Sequence, residues 1–479
     1  MFRDLREFIA KCQELGEYKV IEGADWEKEI GVLTEIMASG GNSPLLVFDK
    51  VKGYPRGYRV ASNLFSSPRR IALGLGLPLN VTGIDLVKAL RDKVRAGIKP
   101  IPPVTVDSGP VMENVHTGEE VDLFEFPTPR WHELDGGRYI GTGSMGITRD
   151  PDEGWVNVGC YRVQIHDKTT ATIWMAPSHH GNIIARKYWA KGVGCPVAVT
   201  CGQDPTLWAG SNWEPVPWGV CEYDFAGGLR GAPIEVIKGV TTGLPIPATA
   251  EIVLEGEIVP PEVETRVEGP FGEWAGYYAA GKREIPAFRV KAILHRNNPI
   301  IQGNPSSFLP SVWTLGRHIQ KAAVLWDELE RQGIPGIKGV WMIEEAAIHS
   351  IPVISIEQKY EGHAKQAALI AAGCAATGHQ VRFIVVVDED IDPSNNADVL
   401  WALGTRTDPE SAIDIIRGLR GDESNPIISP EKKSWGDVGH AAAIILACKP
   451  YHWIKQFPRS IKTSPEVVRQ VKEKWSSIL

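Results

Sequence analysis

The sequence predicts a mixed α/β and β protein of three units: an N-terminal α/β unit over residues 1–103, a β-rich unit over 104–304, and a C-terminal α/β unit over 305–479 ending in a helix. Three observations lead there. A chain of 479 residues is longer than one hydrophobic core sustains. The run Lys99-Pro100-Ile101-Pro102-Pro103 cannot continue a helix, because proline lacks the amide donor and crowds the preceding turn, so it marks a boundary. Beyond it the apolar pattern shortens into β-prone runs, and after residue 304 it alternates again between apolar runs and helical stretches.

In the first unit, Leu5, Phe8, Ile9, Cys12 and Leu15 recur at helical spacing and Gly16 supplies a stop. Extended runs at 18–21 and 45–48 alternate with helical patterns around 26–37 and 84–94. The second unit carries short β-prone runs, including 170–175, 196–200 and 252–259, separated by Gly, Pro and Asn-rich turns, which predicts a barrel or sandwich. In the third, apolar runs at 340–343, 353–356 and 382–387 alternate with helical stretches at 364–376, 396–403 and 409–417, the pattern of a parallel sheet covered by helices. Ser464-Pro465-Glu466 opens the last helix with a cap, a first-turn proline and an acid. Val467, Val468, Val471, Trp475 and Ile478 give that helix an apolar stripe, which docks on its own domain or on a second subunit.

Composition excludes several classes. Hydrophobic residues at 43% and charged residues at 23% are ordinary for a soluble globular protein, and 49 Gly with 35 Pro indicate turns rather than disorder. A net charge of −7 with no basic run argues against a nucleic-acid partner. Met1-Phe2-Arg3-Asp4 carries charges where a signal peptide needs an apolar core, and no apolar segment approaches a membrane span, so a cytoplasmic protein without membrane insertion is expected. Seven scattered cysteines with no CxxC pair fit reduced thiols; Cys160 and Cys221 read as small buried fillers. Neither a Walker-type loop nor a GxGxxG fingerprint is present. Sixteen tryptophans are unusual and suit pockets or subunit contacts.

The chemistry concentrates in a few segments. Glu268-Gly269-Pro270-Phe271-Gly272-Glu273-Trp274 brackets a Gly/Pro turn with two carboxylates, which suits an acid/base pair aimed into one cavity; alone it also fits a surface hairpin with solvated glutamates. Upstream stand Asn157-Val158-Gly159-Cys160-Tyr161-Arg162, Pro177-Ser178-His179-His180, and Cys221-Glu222-Tyr223-Asp224. Singly, Asn157 also fits a strand end, His180 a hydrogen-bonded core histidine, and Glu222 a solvated edge acid. Downstream follow Tyr360-Glu361-Gly362-His363-Ala364-Lys365 and Asp388-Glu389-Asp390-Ile391-Asp392-Pro393.

In this order, over nearly the whole chain, the segments resemble the UbiD-type decarboxylases, whose members bind prenylated FMN. The resemblance implies a central flavin-binding, split β-barrel-like domain holding cofactor and metal. It implies Asn157, His180 and Glu222 as ligands of a divalent ion, usually Mn2+ or else Mg2+, that ties the cofactor phosphate to the protein, with K+ nearby. An amide oxygen, an imidazole and a carboxylate independently form a mostly hard donor set suited to those ions.

Arg162, Glu268 and Glu273 match the family's network at the reacting carbon, with Glu273 delivering the proton while Glu268 and Arg162 orient the substrate carboxylate. A guanidinium beside two acids can hold one ionised and leave the other to exchange a proton. Arg162 and Lys365 are implied cofactor contacts; Lys365 also fits a surface helix start, His363 is open in the same way, and His179 fits either a supporting role or a surface neighbour. Trp274 and Trp313 fit pocket or core.

The implied reaction is a reversible, non-oxidative decarboxylation through a covalent adduct with the cofactor, because electrons left on an sp2 carbon need a sink. The expected substrate is an aromatic acid, free or as a thioester, and otherwise an α,β-unsaturated acid. A flavin prenyltransferase would supply the cofactor, and the assembly would be a homodimer or homohexamer. Two rival readings stand beside this one: an accessory cofactor-binding subunit without turnover, and a metal-dependent hydrolase in which Glu273 activates water.

Overall fold

The computed structural model describes residues 2–39, 43–213, 216, 218–308, 314–347, 350–378, 380–476 and 478. Trp313 lies outside them. Among the described residues four sheets form.

The N-terminal sheet runs Tyr18–Glu22, Leu45–Asp49, Arg59–Ser62 and Ile300–Gln302, so its last strand comes from far along the chain. Helix Leu5–Glu14 starts where the Asp4 carboxylate accepts the Glu7 amide, and it buries Leu5, Phe8 and Cys12. The second helix begins at Glu29, three residues later than its apolar pattern suggests. Helix Gly83–Arg95 lies against Thr314–Arg331 of the C-terminal unit; Arg91 there bonds Glu330 at 2.6 Å and covers the Trp326 ring at 4.7 Å. Phe65 stacks on Trp208 of the central unit with centroids 5.8 Å apart. One apolar core therefore runs through all three units.

The central unit holds a ten-stranded sheet, entirely antiparallel. Its main path is Arg138–Gly141, Arg162–Ile165, Thr170–Trp174, Arg283–His295, Ile252–Ile258, Cys195–Cys201, Ser144–Arg149 and Val156–Gly159. The eighth strand leads into the second through Cys160 and Tyr161 alone. Six strand spacings across a flat sheet measure about 29 Å. Two linking residues span only about 10 Å. The sheet must therefore curl until its two ends meet, and the short link from Gly141 to Ser144 crosses the same seam. Its strands carry near-continuous buried runs such as Ile252–Ile258, as expected where helices cover the sheet.

The C-terminal sheet orders Ile337–Met342, Pro352–Ile356, Phe383–Asp388, His440–Ala447 and Ile413–Leu419. It is mixed rather than parallel: its two central ladders are parallel and both edge ladders antiparallel. Residues 409–417 are expected to be helical; from Ile413 on they instead form the edge strand Ile413–Leu419, whose β-branched residues pair with His440–Ala447 and which, across a bulge, packs Ile416 and Leu419 on the core. The expected acidic motif is structural: Arg406 binds Asp388 at 2.7 Å and Asp390 through two bonds. The terminal helix Pro465–Lys474 leaves Val467, Val468, Val471 and Trp475 exposed within the chain. No described helix is long and apolar enough to cross a membrane.

Candidate active site

The seam of the curled sheet places Asn157 inside the strand Val156–Gly159 and Arg162 at the start of the next, with Tyr161 in the link between them. Strand Thr265–Glu268 pairs with the long central strand and delivers Glu268. Gly269, at φ +83, then adopts a backbone conformation that side-chain-bearing residues rarely tolerate, and the chain doubles back to present Glu273. Both acids are buried, Glu268 at 0% and Glu273 at 8% exposure, which rules out the solvated hairpin.

Arg162 joins them. Its Nε and Nη2 donate to the two Glu268 oxygens at 2.7 and 3.0 Å, and its Nη1 donates to Glu273 Oε1 at 2.5 Å. Burial alone favours a neutral guanidine, but the Glu273 and Glu268 charges outweigh it and push the Arg162 pKa up, so it stays cationic. Tyr139 adds a fourth member, its hydroxyl donating to Glu268 Oε1 at 3.1 Å. Burial first, then the Glu268 charge, pushes that phenol's pKa up and keeps it a donor. The guanidinium sits 5.0 Å from the Phe271 ring and 5.7 Å from Trp174, giving the cluster aromatic walls. Gln164 Oε1 accepts the Gly269 amide and Asp135 accepts the Gly272 amide, which fix the loop. From the C-terminal unit, Lys433 donates to Ala279 O at 2.8 Å, just beyond it.

A second group gathers on the other side of the seam. The Asn157 amide nitrogen faces Tyr161 at 3.3 Å and Thr148 at 3.4 Å, which leaves its oxygen as the remaining ligand atom. Glu222 opens the helix Glu222–Arg230 and accepts the Val158 amide at 2.7 Å, immediately beside Asn157. Burial raises its carboxyl to about 7. Among the described residues no cation forms an ion pair with it, although an uncompensated buried carboxylate is costly. His180 opens the helix His180–Trp189, whose next amide, Gly181, donates to Tyr161 at 3.2 Å. Its ring stands between Trp155 and Trp218 at 5.8 and 5.1 Å, and burial lowers its pKa, keeping the imidazole neutral and able to ligate. The Trp155 Nε1 donor beside it is buried without a partner.

The other sequence candidates divide. His179 packs on the Tyr161 ring at 5.7 Å and accepts the Ala176 amide, a supporting position. Cys160 and Cys221 are thiols pushed up to about 12 by burial. Trp274 packs against the main core. Lys365 is half-exposed and pairs with Asp414 at 2.9 Å; the structure does not bring it to the cluster. Nor does it bring His363, which is buried against Tyr360 and accepts the Lys359 amide. Reading the sequence missed Tyr139, Gln164 and Trp174. Gln164 shares a strand face with Arg162 by the period of two, a usable signal, whereas Tyr139 reaches Gln164 only through strand register.

Three family profiles match in succession: the 3-octaprenyl-4-hydroxybenzoate carboxy-lyase N-terminal domain over residues 9–90, its Rift-related domain over 103–307 and its C-terminal domain over 314–445. The chain belongs to the UbiD family. A pyrrole-2-carboxylic acid decarboxylase from Pseudomonas aeruginosa is 33% identical, with 99% of this chain and 97% of the relative covered. A phenolic acid decarboxylase from Sedimentibacter hydroxybenzoicus is also 33% identical over 90% of this chain and 89% of its own. An evolved dimeric form of the UbiD-class enzyme HmfF from Pelotomaculum thermopropionicum, in complex with prFMN, superposes with a TM-score of 0.83 at 29% identity over the full length of both chains. This UbiD protein is accordingly an enzyme of the carboxy-lyase class, with the mixed architecture of its structural relatives.

Proposed function

We propose that this chain decarboxylates an aromatic carboxylic acid, reversibly and without oxidation, using prenylated FMN. The observation that carries the reading is the buried Glu268–Arg162–Glu273 cluster, walled by Phe271 and Trp174, one residue from the seam where Asn157 and Glu222 meet. The names of the relatives, which act on pyrrole-2-carboxylate and phenolic acids, support an aromatic substrate over an α,β-unsaturated acid.

The residues fit the implied groups. Glu222 is a buried carboxylate that no cation among the described residues pairs with, and with the Asn157 oxygen and the neutral His180 imidazole it makes a donor set for Mn2+ or Mg2+. The unpartnered Trp155 indole suits an anionic oxygen such as phosphate, beside which K+ would add charge balance. When bound, prenylated FMN supplies the electron sink that an sp2 carbon lacks on losing CO2.

The protein's share is orientation and proton transfer. Arg162, fixed by two carboxylates, holds the substrate carboxylate through charge-assisted bonds. Glu273, anchored through one oxygen only, keeps Oε2 to carry a proton to the carbon that CO2 leaves. Phe271 and Trp174 exclude water. Lys365 would reach the cofactor only after exchanging Asp414. A flavin prenyltransferase would provide the cofactor, and the assembly would be a homo-oligomer.

The test is protein produced together with a flavin prenyltransferase and assayed on pyrrole-2-carboxylate, hydroxybenzoates and cinnamate. Glu273→Gln should retain its flavin spectrum while turnover falls by about 10²–10⁴. Full activity in that variant, or a spectrum with no flavin band in the parent, would sink the reading.

A further inference from the structure

A separate cluster of ligating side chains uses none of these residues. Strand Asn114–Thr117 pairs antiparallel with the end of Arg283–His295, setting His116 opposite Ile293. Residues two apart on a strand share a face, so His295 stands diagonal to His116 on the same side. The short turn Leu123–Glu125 lays Glu125 across both. His116 Nδ1 is 3.2 Å from Glu125 Oε2 and His295 Nε2 is 3.5 Å from Glu125 Oε1. One ligand atom from each residue lies within 4.8 Å of the other two. For metal–ligand bonds of about 2.1 Å, neighbouring donors of a tetrahedron stand about 3.4 Å apart.

The hydrogen bonding points the same way. His295 is 97% buried, its exposure being 3%. Its Nδ1 faces Arg296 O at 3.0 Å, and a carbonyl can only accept, so the ring's proton sits on Nδ1. The lone pair of Nε2 then faces a carboxylate oxygen, two acceptors with nothing between them. Both His295 Nε2 and His116 Nδ1 are buried without a hydrogen-bond partner. The Tyr58 hydroxyl donates to Glu125 Oε1 at 3.0 Å, fixing the carboxylate from behind. An imidazole held by a carbonyl and a carboxylate held by a phenol are the supports that ordinarily orient metal ligands. A cavity of about 600 Å3 bordered by His116, Glu120, Asp122 and Glu125 opens beside the cluster and gives an ion a route in.

We propose that His116, Glu125 and His295 bind one transition-metal dication, Zn2+ in preference to Mn2+, at a structural site distinct from Asn157, His180 and Glu222. Two imidazoles make this set softer than the amide–imidazole–carboxylate set, so the two sites sort ions by type. A fourth position faces the cavity and takes water. The ion would pin the 123–125 turn to the sheet edge.

Metal-free protein titrated with Co2+ at neutral pH tests this, because tetrahedral Co2+ has strong visible bands and an octahedral oxygen-rich site has weak ones. One equivalent should develop the strong bands, and Zn2+ should erase them. Glu125→Gln and, as a half-exposed second position that spares the core, His116→Gln should weaken Co2+ binding by at least about 100-fold, beyond what loss of an outer-shell partner costs. His180→Ala should leave the bands intact, so failure here and failure of the active-site reading are distinguishable. No strong band at millimolar Co2+, or one that survives both cluster variants or vanishes in His180→Ala, overturns the proposal.

Discussion

The two halves of the seam bury carboxylates in opposite ways. Glu268 and Glu273 share the Arg162 guanidinium, so their charge is answered within the chain. Glu222 accepts the Val158 amide, among the described residues no cation pairs with it, and its carboxyl rises to about 7. The first half answers its charge within the chain; the second would be completed by the ion proposed above. A buried acid thus reveals by its partner whether it serves chemistry or binding.

The largest effect should come from removing the shared cation. Arg162→Met leaves two buried carboxylates uncompensated and should cost about 3–5 kcal/mol of stability, the range for breaking one partner out of a buried pair. Decarboxylation should vanish with it. Denaturant midpoints measured beside activity check both, and a variant as stable as the parent would mean the acids are hydrated rather than buried.

Next is Glu222→Gln, read in metal-free protein. A carboxyl whose folded pKa of about 7 lies above its ordinary 4.5 is favoured protonated by the fold. Stability therefore declines as pH rises from 4.5 to about 7, by at most about 3 kcal/mol at 1.36 kcal/mol per pH unit. The amide removes that decline, so the variant should melt above the parent at pH 8 and level with it at pH 4. Saturating Mn2+ should reverse the order at pH 8, since only the parent gains the ion. Parallel pH profiles for the two proteins would show that Glu222 does not titrate in this window.

Much of this was legible in the sequence, and for a definable reason. Arg162, His180, Glu222, Glu268 and Glu273 lie at strand ends, helix starts or in a Gly/Pro turn, and Asn157 within a four-residue strand, where local chemistry fixes placement. The central β runs were equally plain. What escaped depended on partners distant in sequence. Residues 409–417 have an apolar pattern compatible with either period until His440–Ala447 supplies a ladder. Tyr139 meets Glu268 because strand register puts it opposite Gln164, which no short window contains. Ile300–Gln302 completes a sheet begun at Tyr18, in a unit that the Pro-rich boundary was expected to close, by joining the free edge of Arg59–Ser62.

Tyr139→Phe sharpens the first half of the comparison at lower amplitude. It removes one hydrogen bond to Glu268 while keeping the ring against Phe271 at 4.4 Å. A loss of about 1 kcal/mol in stability, and up to about tenfold in kcat/KM, is expected. Effects as large as those of Arg162→Met would shift the weight of the cluster onto the phenol.

The smallest stability effect belongs to Lys365, whose side chain is 41% exposed and whose ammonium is tied to Asp414 on the C-terminal edge strand. Such a pair in contact with solvent contributes little, so Lys365→Ala should change stability by less than about 0.5 kcal/mol. Flavin retention separates its two possible partners. If Lys365 leaves Asp414 for the cofactor, the variant should lose flavin on gel filtration while melting as the parent does, and Asp414→Asn, which frees the ammonium, should not lose it. Equal flavin content in the parent and Lys365→Ala would confine this lysine to the surface pair and leave cofactor binding to the seam alone.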